Sequence, residues 1–343
     1  YLIRNTEANV VVVVFTRALV DLIKTGLSQI SALSDRNIPV ITIYQLKYRI
    51  DNGSTYDAIF CDEVQDLPID FLETINKACN KLVIAGDAAQ SIYHVLPVWG
   101  TTPATSVEIA TSLSPSQKTS STIYRLTKSV IEVLKNVFSD LVEEEVFAAK
   151  EDSQIRLYYT SDTNGLSDET KFSWGEVEKD NRRRPEDVAA VLIYKKEDIV
   201  FYCQQVLEIN GKEKWTELRV SRHGRTEYDL EDLNKHLSDN GVPIMYVGNG
   251  IGSLLEADEL NKVIIMTYHS AKGLDFDSVC LPYIATDISN TSNQNALMLV
   301  ALSRAKRELL ITYSGTMYDG YKVFLADVTA NEIQDESDAE ILF

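Results

Sequence analysis

Asp62-Glu63-Val64-Gln65-Asp66 decides how the rest of this chain is read. It closes a near-continuous apolar run, Tyr56-Asp57-Ala58-Ile59-Phe60-Cys61. Further on, a second run, Lys81-Leu82-Val83-Ile84-Ala85, closes in Gly86-Asp87-Ala88-Ala89-Gln90-Ser91-Ile92-Tyr93. Two buried strands that each end in acidic or amide groups point to a nucleotide site, because ligands of open α/β sheets collect at the carboxyl ends of strands. Carboxylates there hold Mg²⁺ and orient a water toward a phosphate.

Working outward, Val10 to Phe15 is a β-branched run of the kind that forms a parallel strand covered on both faces. Arg17 to Leu33 predicts a helix, with Leu19, Leu22, Ile23, Leu27 and Ile30 at helical spacing. Val40 to Tyr44 predicts a short strand, and Leu67 to Ala78 a crossover helix between the strands ending at Asp62 and Asp87. Such alternation means a parallel sheet with right-handed crossovers. Thr101 to Thr122, rich in Ser, Thr and Pro, reads as a link between domains. Beyond it, Leu126 to Phe138 predicts a helix. Strands are predicted at Ile155 to Tyr159, Val188 to Tyr194, Val242 to Val247, Lys262 to Tyr268, Val279 to Tyr283 and Glu308 to Tyr313. These make a second α/β domain. The polar segments Ser161 to Pro185 and Gly211 to Tyr228 read as surface insertions where a partner protein could dock. The expected division is a first domain over 1–112, a second over 113–330 and an acidic tail over 331–343. No repeat of solenoid period is present.

At 343 residues and 45% hydrophobic, the chain is large enough for two cores. No apolar run reaches the roughly eighteen residues of a membrane span, and Tyr1-Leu2-Ile3-Arg4-Asn5 does not open a signal peptide. The four cysteines lack metal spacing, and Cys61 and Cys280 fall in expected core strands, as reduced thiols of a cytoplasmic protein would. The net charge of −18 argues against coating nucleic acid by bulk electrostatics, though not against a locally basic groove.

The motifs, taken in order, resemble those of superfamily 1 helicases of the UvrD/PcrA/Rep type. Val14-Phe15-Thr16-Arg17-Ala18 resembles motif Ia, and Thr42 to Leu46 the short DNA-contacting motif after it. Asp62 to Asp66 is similar to motif II, Gly86 to Tyr93 to motif III and Ile123-Tyr124-Arg125 to motif IV. Thr267-Tyr268-His269-Ser270-Ala271-Lys272-Gly273-Leu274-Asp275-Phe276 resembles motif V, and Val300 to Lys306 motif VI. The resemblance implies two RecA-like α/β domains with ATP and Mg²⁺ in the cleft between them. Asp62 would hold Mg²⁺ and Glu63 would orient and deprotonate the attacking water. Gln90 would contact the γ-phosphate, and Arg125 and Arg304 would reach it from the second domain, a role suited to a planar, permanently charged fork. Lys272 and Gly273 would form the loop near the phosphates and Asp275 would contact the sugar. Phe15, Thr16, Tyr44, Tyr93, Thr267, His269 and Ser270 match positions that contact single-stranded DNA or RNA, where aromatic faces stack on bases.

The chain also departs from the family. No G-x-x-x-x-G-K-[ST] phosphate loop occurs, and Gly248-Asn249-Gly250-Ile251-Gly252 reads as a turn. The family's loop would stand just upstream of Tyr1, so the chain is expected either to begin inside a longer one or to be a relative without that loop. Ile123 stands where the family has Asn, and Asp275 where it usually has Glu. His94-Val95-Leu96 follows Tyr93 in place of an aromatic and an arginine. The expected activity is an ATP-dependent 3′-to-5′ translocase or helicase on single-stranded nucleic acid. Two alternatives stay open: a non-hydrolysing interaction subunit, and a translocase subunit of a nuclease or defence complex.

Overall fold

The computed structural model describes residues 7–33, 36–92, 100–116, 122–138, 147–150, 154–160, 165–222, 224–284 and 292–314. The chain divides into two compact units, Tyr1–Thr119 and Ser120–Phe343.

In the first unit the order is β1 (Val10–Val14), α1 (Arg17–Gln29), β2 (Val40–Thr42), α2 (Ile43–Asp51), β3 (Tyr56–Cys61), α3 (Ile69–Lys77), β4 (Cys79–Ile84) and α4 (Ser106–Leu113). The sheet order is β2-β1-β3-β4 and every pairing is parallel. Parallel strands need crossovers, which α1, α2 and α3 supply. The unpatterned valines of β1 are buried on both faces, as their composition predicts. Val11, Val13, Ile59 and Leu72 meet in one apolar core.

Three expectations change here. The strand read over Val40 to Tyr44 stops at Thr42, because Thr42 and Gln45 form a capping box that turns the chain into α2. Gln45 N–H donates to Thr42 Oγ1 at 3.4 Å, and Thr42 N–H donates to Gln45 Oε1 at 2.9 Å. The strand read as buried over Lys81 to Ala85 is an edge strand of alternating exposure, with Val83 38% exposed. The Ser/Thr-rich stretch read as a link contains α4, capped by Thr105 and Glu108 and tied to α3 by a hydrogen bond from Ser112 to Glu73.

In the second unit the order is β5 (Thr122–Thr127), α5 (Lys128–Val137), β6 (Phe147–Lys150), β7 (Gln154–Thr160), α6 (Leu166–Arg183), β8 (Ala189–Ile193), α7 (Lys196–Ile209), β9 (Arg219–Arg222), β10 (Arg225–Tyr228), α8 (Leu230–Asp239), β11 (Ile244–Tyr246), α9 (Leu254–Glu259), β12 (Val263–Thr267), α10 (Tyr268–Ala271), β13 (Phe276–Leu281), α11 (Ser292–Leu302) and β14 (Ala305–Ser314). The main sheet, β11-β12-β8-β13-β14-β7, is parallel throughout. Each of its strands falls within three residues of the run that predicted it, but the helix read from Leu126 starts only at Lys128. Leu126 belongs to β5, which pairs with β6 apart from the main sheet.

The segment read as a polar insertion over Ser161 to Pro185 is, from Leu166, a helix packed on the sheet. Glu169, Thr170, Ser173 and Trp174 are each at most 1% exposed. The second polar segment sends Trp215 into the core at 4% exposure and then forms the β9–β10 hairpin. The thiols of Cys61 and Cys203 are pushed up to about 12 by burial, so both stay protonated. Among the described residues no helix is long and apolar enough to cross a membrane. The acidic runs at Glu143-Glu144-Glu145 and over 331–343 lie outside the described residues.

Candidate functional site

In the first unit, β2, β1, β3 and β4 deliver their carboxyl ends to one sheet edge, which gathers Tyr44, Phe15, Thr16, Asp62, Glu63, Gly86 and Asp87. Phe15 is buried and meets the Tyr44 ring edge-on, 6.1 Å between centroids and 71° between planes. Tyr44 opens the first turn of α2 at 40% exposure, and burial together with nearby Asp66 raises its phenol pKa. The Thr16 hydroxyl caps α1, accepting from Leu19 N–H at 3.3 Å.

Asp62 is exposed at the end of β3, and its Oδ1 accepts from Glu63 N–H at 2.9 Å. Glu63 lies in the left-handed region, φ 57° and ψ 38°, with 9% of its surface exposed. A non-glycine residue there carries strain, and strain of this kind collects at functional sites. What holds Glu63 is Gln65. Gln65 Nε2 donates to Glu63 Oε2, while Gln65 Oε1 accepts from Asp87 N–H at 3.1 Å. One buried amide therefore joins the carboxylate after β3 to the loop after β4. Gly86 is required by this approach, since a Cβ on it would stand 2.5 Å from Gln65 Oε1 and 3.1 Å from Val64 Cγ2. Ser91 Oγ donates to the Gln65 carbonyl at 3.2 Å, Asp66 Oδ1 accepts from Ile92 N–H at 3.4 Å, and Gln90 Nε2 donates to Asp87 Oδ2 at 3.0 Å. Sequence reasoning passed over Gln65. Its signal was the amide two positions after Glu63, paired with a glycine before Asp87. Tyr93 lies outside the described residues.

In the second unit, β12 ends in Thr267, whose Oγ1 accepts from Ser270 N–H at 3.2 Å and donates to Ser270 Oγ at 3.0 Å. This cap makes the one-turn helix α10 and sets out His269 and Ser270. The turn Gly248–Ile251, with Asn249 and Gly250 both at positive φ, closes on itself by two 2.9 Å backbone bonds. It abuts this helix, because a Cβ on Gly248 would stand 2.9 Å from Ser270 Oγ. Crowding by protein, and then the Lys272 ammonium, lower the His269 pKa. Lys272 is 2% exposed, Gly273 takes φ +79°, and Asp275 is half-buried.

Arg304 is fully buried. Its Nε donates to the Val300 carbonyl at 2.7 Å, Nη1 to the Leu274 carbonyl at 2.9 Å and Nη2 to Ser303 Oγ at 2.6 Å. The guanidinium thus pins the Lys272-Gly273-Leu274-Asp275 loop to the end of α11. Arg125 lies in β5 between Ile123 and Thr127, where the register on β6 shifts. Among the described residues no three His, Cys, Asp or Glu side chains form a metal-holding group.

Residues 251–316 match the family described as UvrD-like helicase C-terminal domain. The C-terminal domain of a possible DNA helicase from Lactobacillus plantarum WCFS1 is 15% identical, with 57% of this chain and 91% of that one covered at a TM-score of 0.36. The PRRSV helicase is 14% identical, with 94% of this chain and 49% of that one covered at a TM-score of 0.44, so this chain spans about half the length of that relative. No curated protein sequence matches significantly.

Proposed function

We propose that this chain, which carries a UvrD-like helicase C-terminal domain over 251–316, works as an ATP-dependent translocase or helicase. It would move 3′-to-5′ along single-stranded nucleic acid, DNA in the first instance. The observation that carries this is the Gln65 amide. It fixes a strained, buried Glu63 and at the same time holds the backbone of the Asp87 loop that bears Gln90. A carboxylate held in one orientation is what a general base requires, and a rigid link to the next loop lets a change at one register at the other.

The residues fit a magnesium nucleotide. Asp62 offers a hard, exposed carboxylate at the strand end, and Mg²⁺ takes one or two carboxylates beside waters and phosphate oxygens rather than an all-protein cage. When bound, the ion would neutralise charge developing on the phosphates. Glu63 would orient and deprotonate the water. Gln90 would sense the γ-phosphate. Arg304 supports the second unit's loop through Leu274 and is fully buried, so its part in meeting phosphate would require it to become accessible. Phe15, Tyr44, His269 and Ser270 would meet nucleic acid.

The enclosure of Arg304 among its own unit's acceptors favours a second reading, a helicase-like interaction subunit that does not hydrolyse ATP. Turnover of the natural full-length protein with and without single-stranded DNA decides between them. Glu63→Gln should lower stimulated turnover by about 10²-fold or more while nucleotide binding persists. Undiminished hydrolysis by that variant removes Glu63 from the role, and no turnover by the parent favours the interaction subunit. Strand displacement measured beside turnover separates a helicase from a translocase working inside a nuclease or defence complex.

A further inference from the structure

The outer face of α2 carries more aromatic surface than a solvated face needs. Its inner positions, Ile43, Leu46 and in part Ile50, belong to the apolar core of the first unit. Its outer positions, Tyr44, Gln45, Tyr48 and Arg49, are exposed. Tyr48 is 72% exposed, against 40% for Tyr44. A single exposed aromatic is ordinary. Tyr48, however, stands four residues after Tyr44, and side chains at that spacing are neighbours on one helix face. An aromatic ring in a helix also loses side-chain freedom, and at this exposure little burial offsets the loss.

Both tyrosines stand on a fixed base. The capping box of Thr42 and Gln45 sets the first turn of α2. At the other end the backbone N–H and Nδ2 of Asn52 both donate to the Tyr48 carbonyl, at 3.2 Å and 2.7 Å. Phe15 meets Tyr44 edge-on. The aromatic row therefore starts at the sheet edge that gathers Thr16 and Asp62, and continues about 6 Å along α2 at 1.5 Å of rise per residue. Lys47 is paired with Asp51 at 2.7 Å, so the net charge of this helix comes from Arg49, exposed in its last turn beside Tyr48.

We propose that Tyr48 is a second base-stacking platform for single-stranded nucleic acid, with Arg49 beside it on the phosphate backbone. The inference rests on the proposed function for its choice of ligand and adds two residues that function does not name. A strand stacked on Tyr44 at the sheet edge would continue along the outer face of α2. Aromatic faces next to basic side chains hold single strands without reading their sequence, and arginine positions the backbone. The spacing of about 6 Å along the helix exceeds the roughly 3.4 Å per nucleotide of one strand in a duplex, so the pair suits a strand drawn out of its helical stack. A protein partner fits less well. Protein hot spots lie in desolvated pockets ringed by other contacts, whereas the exposed neighbours of Tyr48 on this face are Gln45, Arg49 and Asn52.

The test is binding of a fluorescent oligo(dT) to the natural full-length protein across a salt series, beside an abasic oligonucleotide of the same length. The proteins compared are the parent, Tyr48→Ala, Tyr48→Phe, Arg49→Gln, and Val107→Ala as a control on α4, where Val107 is 74% exposed. Tyr48→Ala should weaken oligo(dT) binding by about 5- to 150-fold. It should bind the abasic strand as the parent does, because that strand offers no base to stack. Tyr48→Phe keeps the ring and should keep the parental affinity. Arg49→Gln should lose about 0.7 from the slope of log affinity against log salt, the share of one phosphate contact on a single strand. Val107→Ala should match the parent throughout. Parental affinity in Tyr48→Ala, the result expected of a face that serves a protein, overturns the platform and leaves the proposed function standing. So does a loss that Tyr48→Phe or Val107→Ala shares, or one that is equal on the abasic strand, since none of these comes from stacking. An unchanged slope in Arg49→Gln overturns the part given to Arg49. A parent that binds no oligonucleotide overturns both the platform and the proposed function.

Discussion

At the scale of single residues, Glu169 is the least expected group. It lies on α6 with no exposed surface, and its Oε1 accepts from Tyr283 N–H at 2.6 Å and Thr312 Oγ1 at 2.8 Å. Oε2 has no hydrogen-bond partner, although the Ser314 hydroxyl is near enough to favour the ionised form. Desolvation outweighs these donors and raises the carboxyl above its ordinary value of 4.5. The folded state thus binds the proton more tightly than the unfolded one. The stability this contributes is fully present below pH 4.5 and is lost as pH rises through the raised folded value. Glu169→Gln keeps an acceptor at Oε1 and cannot ionise. Urea unfolding of the two proteins from pH 4 to pH 9 should show the parent losing stability relative to the variant as pH rises. A constant difference across the range would mean that Glu169 is not the titrating group. Arg304 teaches a related lesson, since a residue matched to a phosphate-contacting position is found fully buried and bonded to the Val300 and Leu274 carbonyls and to Ser303.

At the scale of elements, the strands were legible and several helices were not. Valines at 10 to 14 and the runs ending at Asp62 and Thr267 announce buried parallel strands because both faces must be apolar. The end of β2 was misread because Thr42 looks like one more β-branched strand residue, while its hydroxyl and Gln45 start a helix. β4 looked buried by composition, yet burial depends on what lies beside a strand, which its own residues do not record. Helix α6 reads as an insertion because thirteen of the eighteen residues over 166–183 are polar or charged, the composition of a solvated face. Among its described residues, a stripe of Glu169, Thr170, Ser173, Trp174, Val177 and Asn181 turns inward. Trp174 discriminates between these accounts. In a surface insertion, Trp174→Ala would change stability by no more than about 0.5 kcal/mol. At 1% exposure in the core it should cost about 3–5 kcal/mol, read as a fall in the urea midpoint of the second unit. Gln65 was missed for a different reason, because a link between two loops is invisible until both loops have been placed.

At the scale of the whole molecule, two units with separate apolar cores set up a test of whether one ligand engages both. If each core unfolds as its own cooperative transition, a substitution in one is read in that transition alone. Trp174→Ala should then move the transition of the second unit and leave that of the first in place. A ligand stabilises only what it touches, by about 2.7 kcal/mol at a hundredfold excess over its dissociation constant. The resemblance to superfamily 1 helicases implies that Asp62, Glu63 and Gln90 of the first unit and Arg125 and Arg304 of the second would meet the same nucleotide. A non-hydrolysable ATP analogue with Mg²⁺ should therefore raise both midpoints, and Arg125→Ala should remove the rise in the second while sparing most of the rise in the first. If only the first midpoint rises, the nucleotide is held without the arginines, and ATP has no means of drawing the second unit toward a different state, because a ligand shifts an equilibrium only through differential contacts. Motor activity would then lack its coupling step, and the interaction-subunit reading would be the stronger one.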